Sequence, residues 1–311
     1  MIIVITGPTG VGKTKLSIEL AKIYNAEIIN GDSVQVYKGL DIGSAKVTDE
    51  EKENIPHHLF DIREVDQEYS IYDYQKDVRR LIDEITKRNK NIIIVGGTGL
   101  YIKSALYDYT LNDYDKNDNQ YEDKSTEELY QELISLDKDV IIDKHNRRRV
   151  VRALNYYKNN GRSISKNKSG NNLLYDAIFI GLTMSDRDAL YKRINDRVDK
   201  MVENGLIDEV KAFYDKNIHT KPLLSAIGYK ELYQYFDNKI SFEKAIELIK
   251  RNSRRYAKRQ YTFFNHQFDI KWFNINIDNF DETINDVTEY IDKKEKDYIS
   301  RIWNDKLKVD T

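Results

Sequence analysis

Apolar positions along the chain follow two rhythms. Short runs at Ile2–Thr6, Ala26–Asn30 and Asn91–Val95 are rich in isoleucine and read as buried strands. Between them the spacing lengthens to a helical period. Lys13–Tyr24 places Leu16, Leu20 and Ile23 on one face, and Tyr69–Arg88 repeats the pattern through Tyr72, Val78, Leu81, Ile82 and Ile85. Strands alternating with helices predict an α/β fold built on a parallel sheet. Tyr107–Gln120 breaks the rhythm with Asp and Asn. Two helical patterns then fill Ser125 to Asn159, and Asn160–Asn172 has the polar, Gly/Ser/Asn-rich composition of a loop. Asp176–Leu182 returns to strand; the remainder reads as helix apart from a late strand at Ile270–Asn274. Residues 112–174 are therefore expected to form an all-helical insertion in a core made of 1–111 and 175–311. No internal repeat is visible.

Composition narrows the picture. Of 311 residues 40% are apolar, enough for a core and too many for a disordered chain. Cysteine is absent, which excludes a disulfide framework, a thiolate nucleophile and any Cys-ligated metal or cluster. The run Ile2–Ile5 is too short for the apolar region of a signal peptide, and no stretch approaches the ~20 apolar residues of a membrane helix. The expectation is a soluble, cytoplasmic protein with no membrane association. Fifty Lys and Arg against 52 Asp and Glu give a net charge of −2, which argues against coating nucleic acid by bulk charge. The charges are segregated, however: 108–143 is mostly acidic, while Arg147–Arg152 and Arg251–Arg259 are dense in cations, so a local basic groove is compatible with the sum.

The sharpest chemical signal is Gly7-Pro8-Thr9-Gly10-Val11-Gly12-Lys13-Thr14, which fits G-x-x-x-x-G-K-[ST] after a strand and before a helix. Glycines let the backbone wrap so that successive N–H groups face phosphate oxygens; Lys13 adds a cation, and the Thr14 hydroxyl can ligate Mg²⁺. A P-loop does not name a reaction. The strand Asn91–Val95 runs into Gly96-Gly97-Thr98-Gly99, with no Asp at its end of the kind nucleotide hydrolases and kinases use for Mg²⁺. Asp32 instead follows the strand Ala26–Asn30, at the edge where open α/β sheets place ligands. It could bind metal, accept a proton or cap a turn. Adjacent His57 and His58 rarely chelate one ion together, and no further His or Cys pattern completes a site, so a structural role is expected.

Several segments, in order, resemble the tRNA dimethylallyltransferase (tRNA isopentenyltransferase) family of bacterial type. They are Gly7–Thr14; Asp32-Ser33-Val34-Gln35-Val36-Tyr37; Asp41-Ile42-Gly43-Ser44-Ala45-Lys46; Pro56-His57-His58-Leu59; Gly96-Gly97-Thr98-Gly99-Leu100-Tyr101; Asn146–Leu154; Ala226-Ile227-Gly228-Tyr229-Lys230-Glu231; and Tyr256-Ala257-Lys258-Arg259-Gln260. The resemblance spans about residues 1–265. It implies a P-loop, kinase-like core whose helical insertion grips a tRNA anticodon stem-loop. The implied reaction moves a dimethylallyl group from dimethylallyl diphosphate to the N6 amine of the adenine 3′ to the anticodon (tRNA position 37), in tRNAs reading codons that begin with U. Diphosphate leaves with the help of Mg²⁺, and the enzyme is expected to act as a monomer.

The same resemblance distributes roles. Gly7 to Thr14 would hold the donor diphosphate, with Lys13, Thr14-bound Mg²⁺ and Arg197 on its leaving oxygens; Asp32 would take the amine proton. Ser33, Val34, Gln35 and Thr98 would meet the tRNA, as would Arg148, Arg149, Val150, Val151 and Arg152, and Ala226, Ile227, Gly228, Tyr229, Lys230 and Glu231. Arg251, Arg254, Arg255, Lys258 and Arg259, opposite Phe242, Ala245, Ile249, Tyr256 and Phe264, are expected to add a second RNA-facing stripe. The chain departs from the family at Asn112–Lys124, where an Arg near the RNA is usual, and at Asn159-Asn160-Gly161-Arg162. Three other readings compete: a free-nucleotide prenyltransferase, which would not need the insertion or basic blocks; a P-loop small-molecule kinase, which predicts tight ATP binding; and a non-enzymatic RNA-binding module, which leaves the P-loop unexplained.

Overall fold

A computed structural model describes residues 1–111, 121–166 and 170–309. Six strands form one parallel sheet: β1 (Ile2–Thr6), β2 (Ala26–Asn30), β3 (His57–His58), β4 (Asn91–Val95), β5 (Ala177–Thr183) and β6 (Lys271–Asn274), in the order β3-β2-β4-β1-β5-β6. β1 lies inside the sheet, with Ile3 opposite Ile93 on one side and Ile178 on the other. All five β1 residues are buried, which is why its sequence is continuously apolar rather than alternating. Helices cover both faces. α1 (Lys13–Ile23) and the C-terminal α11 (Phe280–Val309) join one core cluster; α2 (Ile71–Lys87), α3 (Gly99–Leu106) and much of α10 (Phe242–Gln267) join the other.

α2 begins at a reciprocal cap, with Ser70 accepting from the Asp73 N–H and Asp73 from the Ser70 N–H. Its core contact is Tyr74, fully buried, whereas Tyr72 is half-buried. Ile23 is likewise displaced from its expected core position. It falls in the last turn of α1 and is 52% exposed, since the end of a helix overhangs the strands that its middle covers.

α4 (Thr126–Leu136) and α5 (Arg147–Asn160) pack a small core of their own from Tyr121, Leu129, Leu133, Val150, Val151 and Leu154. A short 3₁₀ turn, Ile164–Lys166, lies in the stretch read as loop. Of the segment Asn112–Lys124, where the chain departs from the family it resembles, residues 112–120 lie outside the described residues. After β5 come α6 (Arg187–Glu203), α7 (Leu206–Tyr214), α8 (Lys221–Ser225), α9 (Tyr229–Phe236) and α10. Among the described residues no helix is long and apolar enough to cross a membrane.

Strand β3 had no sequence signal, being two residues long. Its anchor is electrostatic: Glu27 on the neighbouring β2 is buried, takes two hydrogen bonds from Arg88 (3.1 and 2.7 Å), and lies 2.7 Å from His58 Nε2. Those bonds hold the Glu27 carboxyl below its ordinary range against the opposing effect of burial. The histidine pair thus has a structural partner, with His57 Nδ1 bonded to the Ile55 carbonyl.

Candidate active site

Strands β2, β4 and β1 are neighbours, and all three end at one edge of the sheet. Parallel pairing therefore delivers three loops to one place: Gly31-Asp32-Ser33, Gly96-Gly97-Thr98 and the P-loop. The first two are laced together. Gly31 donates to the Val95 carbonyl at 2.8 Å, Thr98 N–H to the Gly31 carbonyl at 3.0 Å, and Ser33 N–H to Thr98 Oγ1 at 3.1 Å. A Cβ on Gly96 would lie 2.2 Å from the Gly31 carbonyl carbon, so only glycine lets the loops approach this closely. A cleft of about 430 Å³ opens over them.

The P-loop forms one wall. Gly12 caps α1 at φ +88°, a conformation that glycine adopts without strain. Val11 is buried beneath the loop, while Thr9, Gly10, Gly12, Lys13 and Thr14 line the cleft. Lys13 Nζ folds back onto the Gly7 and Pro8 carbonyls at 3.0 and 2.8 Å. Burial, reinforced by the nearby Arg197 charge, pulls its pKa from 10.5 down to about 7. The Thr14 hydroxyl sits exposed at the head of the helix. From α6, Arg197 reaches the cleft, and Arg193, one turn earlier, donates from Nε to the Gly10 carbonyl at 3.0 Å. The four-residue spacing of Arg193 and Arg197 puts both on one face of α6.

Asp32 faces this wall. One carboxyl oxygen accepts the Val34 N–H at 2.9 Å, so the residue does cap a turn. Burial nevertheless pushes its pKa above the ordinary 3.8, against the pull of the Val34 N–H and the Lys13 and Arg197 charges. The result is a carboxylate more basic than one in water, set among cations. Beside it, Gln260 of α10 donates to the Gly97 carbonyl at 3.0 Å and Tyr256 lines the cleft, its phenol held neutral by burial and by Asp32. Arg259 lies at the rim, its guanidinium 5.6 Å from the Tyr256 ring centroid.

Gln35 also lines the cleft, with Nε2 bonded to the Ser44 and Ala45 carbonyls at 3.0 and 3.3 Å. That segment is held from behind by Glu209 of α7, which accepts the N–H groups of Asp41 (3.1 Å), Ile42 (2.7 Å) and Gly43 (3.1 Å), and the Tyr229 hydroxyl (2.5 Å).

The remaining candidate residues divide between the cleft and the packing behind it. Tyr229 is fully buried with its hydroxyl on Glu209, and Glu231 is 1% exposed, accepting from the Gly228 N–H and from Asn252. Both brace the turn whose Ile227, Gly228 and Lys230 line the cleft, with Ala226 largely buried beside them. Val150 and Val151 are core residues of the α4–α5 pair, because on α5 they fall on the inward face. Arg148 and Arg149 are exposed, and Arg152 stands 6.0 Å from the Tyr109 ring centroid. The stripe on α10 divides as well: Arg254 donates to Asn195 of α6 at 2.6 Å and Arg251 is half-buried, leaving Arg255, Lys258 and Arg259 exposed.

A P-loop facing a carboxylate across one cleft can serve group transfer from a phosphorylated donor. Its relatives agree. A family model described as IPP transferase matches residues 35–267. The chain is 49% identical over 301 residues to the tRNA dimethylallyltransferase of Anoxybacillus flavithermus, covering 94% of this chain and 96% of the relative. It is 48% identical over 286 residues to that of Bacillus subtilis, covering 88% and 90%. Among solved structures, a tRNA isopentenylpyrophosphate transferase from Staphylococcus epidermidis superposes with a TM-score of 0.71 at 42% identity, covering 94% of this chain and 99% of that one. A eukaryotic dimethylallyltransferase acting on tRNA gives 0.77 at 31%, covering 87% and 73%. The chain belongs to the tRNA dimethylallyltransferase family.

Proposed function

We propose that this protein transfers the dimethylallyl group of dimethylallyl diphosphate to the N6 amine of the adenine 3′-adjacent to the anticodon, in tRNAs reading codons that begin with U. The observation that carries the reading is the opposition within one cleft of Asp32, basic through burial, and a P-loop with Lys13 and Arg197. In the reaction the bond from the prenyl C1 to the diphosphate oxygen breaks, and a bond from C1 to N6 forms. The amine proton passes to Asp32, and the electron pair leaves with diphosphate. Backbone N–H groups of Gly10 to Lys13, with the Lys13 and Arg197 cations, stabilise the charge growing on the leaving oxygens. An exocyclic amine is a weak nucleophile, so proton removal as the new bond forms is worth about 10²–10⁴ in rate. The target base must leave the loop stack to reach Asp32. Ser33, Val34, Gln35 and Thr98, close to Asp32, would receive such a base, and Arg148, Arg149 and Arg152 would meet the stem-loop backbone.

Among the described residues no cluster of three or more His, Asp or Glu could cage a metal. The exposed Thr14 hydroxyl at the P-loop suits an Mg²⁺ held mainly by substrate oxygens. Bound there by Thr14 and the diphosphate, Mg²⁺ would neutralise part of the leaving group's charge. The enzyme would work as a cytoplasmic monomer.

The test is transfer of radiolabel from dimethylallyl diphosphate to unmodified tRNA, with AMP in a parallel tube. Label on tRNA alone, mapped to the adenine after the anticodon, is the expected result. Label on AMP would make this a free-nucleotide prenyltransferase, and ATP consumption without prenyl transfer would make it a kinase. Asp32→Ala should bind tRNA normally and lose about 10²–10⁴ in turnover; full turnover in that variant would remove Asp32 as the base.

A further inference from the structure

Helix α11 lies beyond the residues matched by the family model. One face of it carries Phe280, Ile284, Val287 and Ile291, spaced four, three and four apart. Ile284, Val287 and Ile291 are buried in the cluster that contains Leu16 and Leu20 of α1. The two helices run in the same direction: near the end of α1, the Tyr24 hydroxyl bonds the Thr288 carbonyl and Asp292, at 3.2 and 2.8 Å. At the other end, Phe280 lies against the loop that opens α1. A Cβ added to Gly12 would sit 2.7 Å from Phe280 Cε2 and 2.8 Å from Cζ, so the ring covers this glycine. Lys15 is 5.1 Å from the Phe280 ring centroid and 3.7 Å from the Asp281 carboxylate. The head of α11 is itself fixed, because Asn276 donates from its backbone to Thr283 Oγ1 and accepts the N–H groups of Asp278 and Asn279.

From this geometry we infer that Phe280 is a positioning residue for the P-loop, through which the C-terminal helix sets the affinity for the prenyl donor's diphosphate. Gly12 is held at positive φ, and glycine is the residue with most freedom to leave that conformation. A flat ring pressed on it restricts the loop to the form in which its N–H groups converge, and a binding site ordered in advance loses less affinity to ordering. The inference rests on the P-loop being the donor cradle.

The test compares three variants with the intact protein by steady-state transfer kinetics and thermal unfolding. Phe280→Ala should raise the donor KM about tenfold, while kcat at saturating donor and the tRNA KM stay within about twofold. Phe280→Leu, which refills part of the space, should recover most of the loss. Val287→Ala weakens the same helix at a buried position away from the loop, and should lower the melting temperature without moving the donor KM. A donor KM for Phe280→Ala within twofold of the intact protein overturns the inference, as does an equal rise in Val287→Ala. Lys13→Ala in the same series separates the two readings. If it raises the donor KM and Phe280→Ala does not, the inference alone fails; if neither moves it, the P-loop is not the donor cradle.

Discussion

Replacing Glu209 by alanine removes one carboxylate that serves four donors. Their surroundings differ, and that sets the magnitude. The Asp41 N–H is exposed and regains a water at little cost. The Ile42 and Gly43 N–H groups are partly buried, and each loses a bond to a charged acceptor, about 1 kcal/mol after partial rehydration. The Tyr229 hydroxyl belongs to a fully buried side chain and is left without its partner, at about 1–3 kcal/mol. The expected loss is about 3–5 kcal/mol, a large part of the roughly 5–15 kcal/mol that holds a typical domain together. Tyr229→Phe in the same background removes the stranded hydroxyl, so Glu209→Ala should then cost about 1–2 kcal/mol less, a coupling that a double-mutant cycle reads directly. Urea unfolding of the four proteins is the assay. Because the carboxylate holds the segment on which Gln35 rests, kcat/KM for tRNA should fall further than kcat/KM for the donor. A cost below about 1 kcal/mol, or additive single changes, would refute the reasoning.

The donor kcat/KM is expected to trace a bell against pH. Asp32 must be ionised to accept a proton, so its raised pKa moves the acid limb above that of an ordinary carboxylate. Lys13 must be charged to meet diphosphate, and with a pKa of about 7 in the free site it loses that charge as pH rises, producing the alkaline limb. At saturating donor the bound anion keeps Lys13 protonated, so the alkaline limb should shift upward in kcat; an identical limb in both parameters would assign it to another group. Gly96→Ala should cost roughly 2–3 kcal/mol in thermal or urea unfolding and disable catalysis, because its Cβ would strike backbone of the loop carrying Asp32. A stable, active variant would show that the two loops part easily.

How much was readable in the sequence differs from element to element. β1, β4 and β5 announced themselves because burial on both faces demands apolar runs, and β2 through its Ile28-Ile29 pair despite Glu27. The P-loop was legible because its chemistry is local, eight consecutive residues fixing their own backbone. β3 was not, since two residues carry no period and its stability comes from Glu27, thirty residues earlier. Tyr229 and Glu231 illustrate a different limit. They sit inside a segment tied to RNA by resemblance, yet a contact segment needs residues that face the partner and residues that hold the turn, and sequence does not separate the two. Arg193 and Gln260 reach the site from helices more than 150 residues from the loops they touch, a proximity that only the folded sheet creates.

The place of β1 within the sheet has a temporal consequence. Its partners are β4 and β5, so the strand made first is completed by one that begins at Ala177. At roughly 5–20 residues per second of synthesis, about 10–35 s separate the emergence of Ile2–Thr6 from that of the strand that seals its far edge. Throughout that interval a five-residue apolar edge remains open on the nascent chain, and the surface of α1 waits longer still for α11.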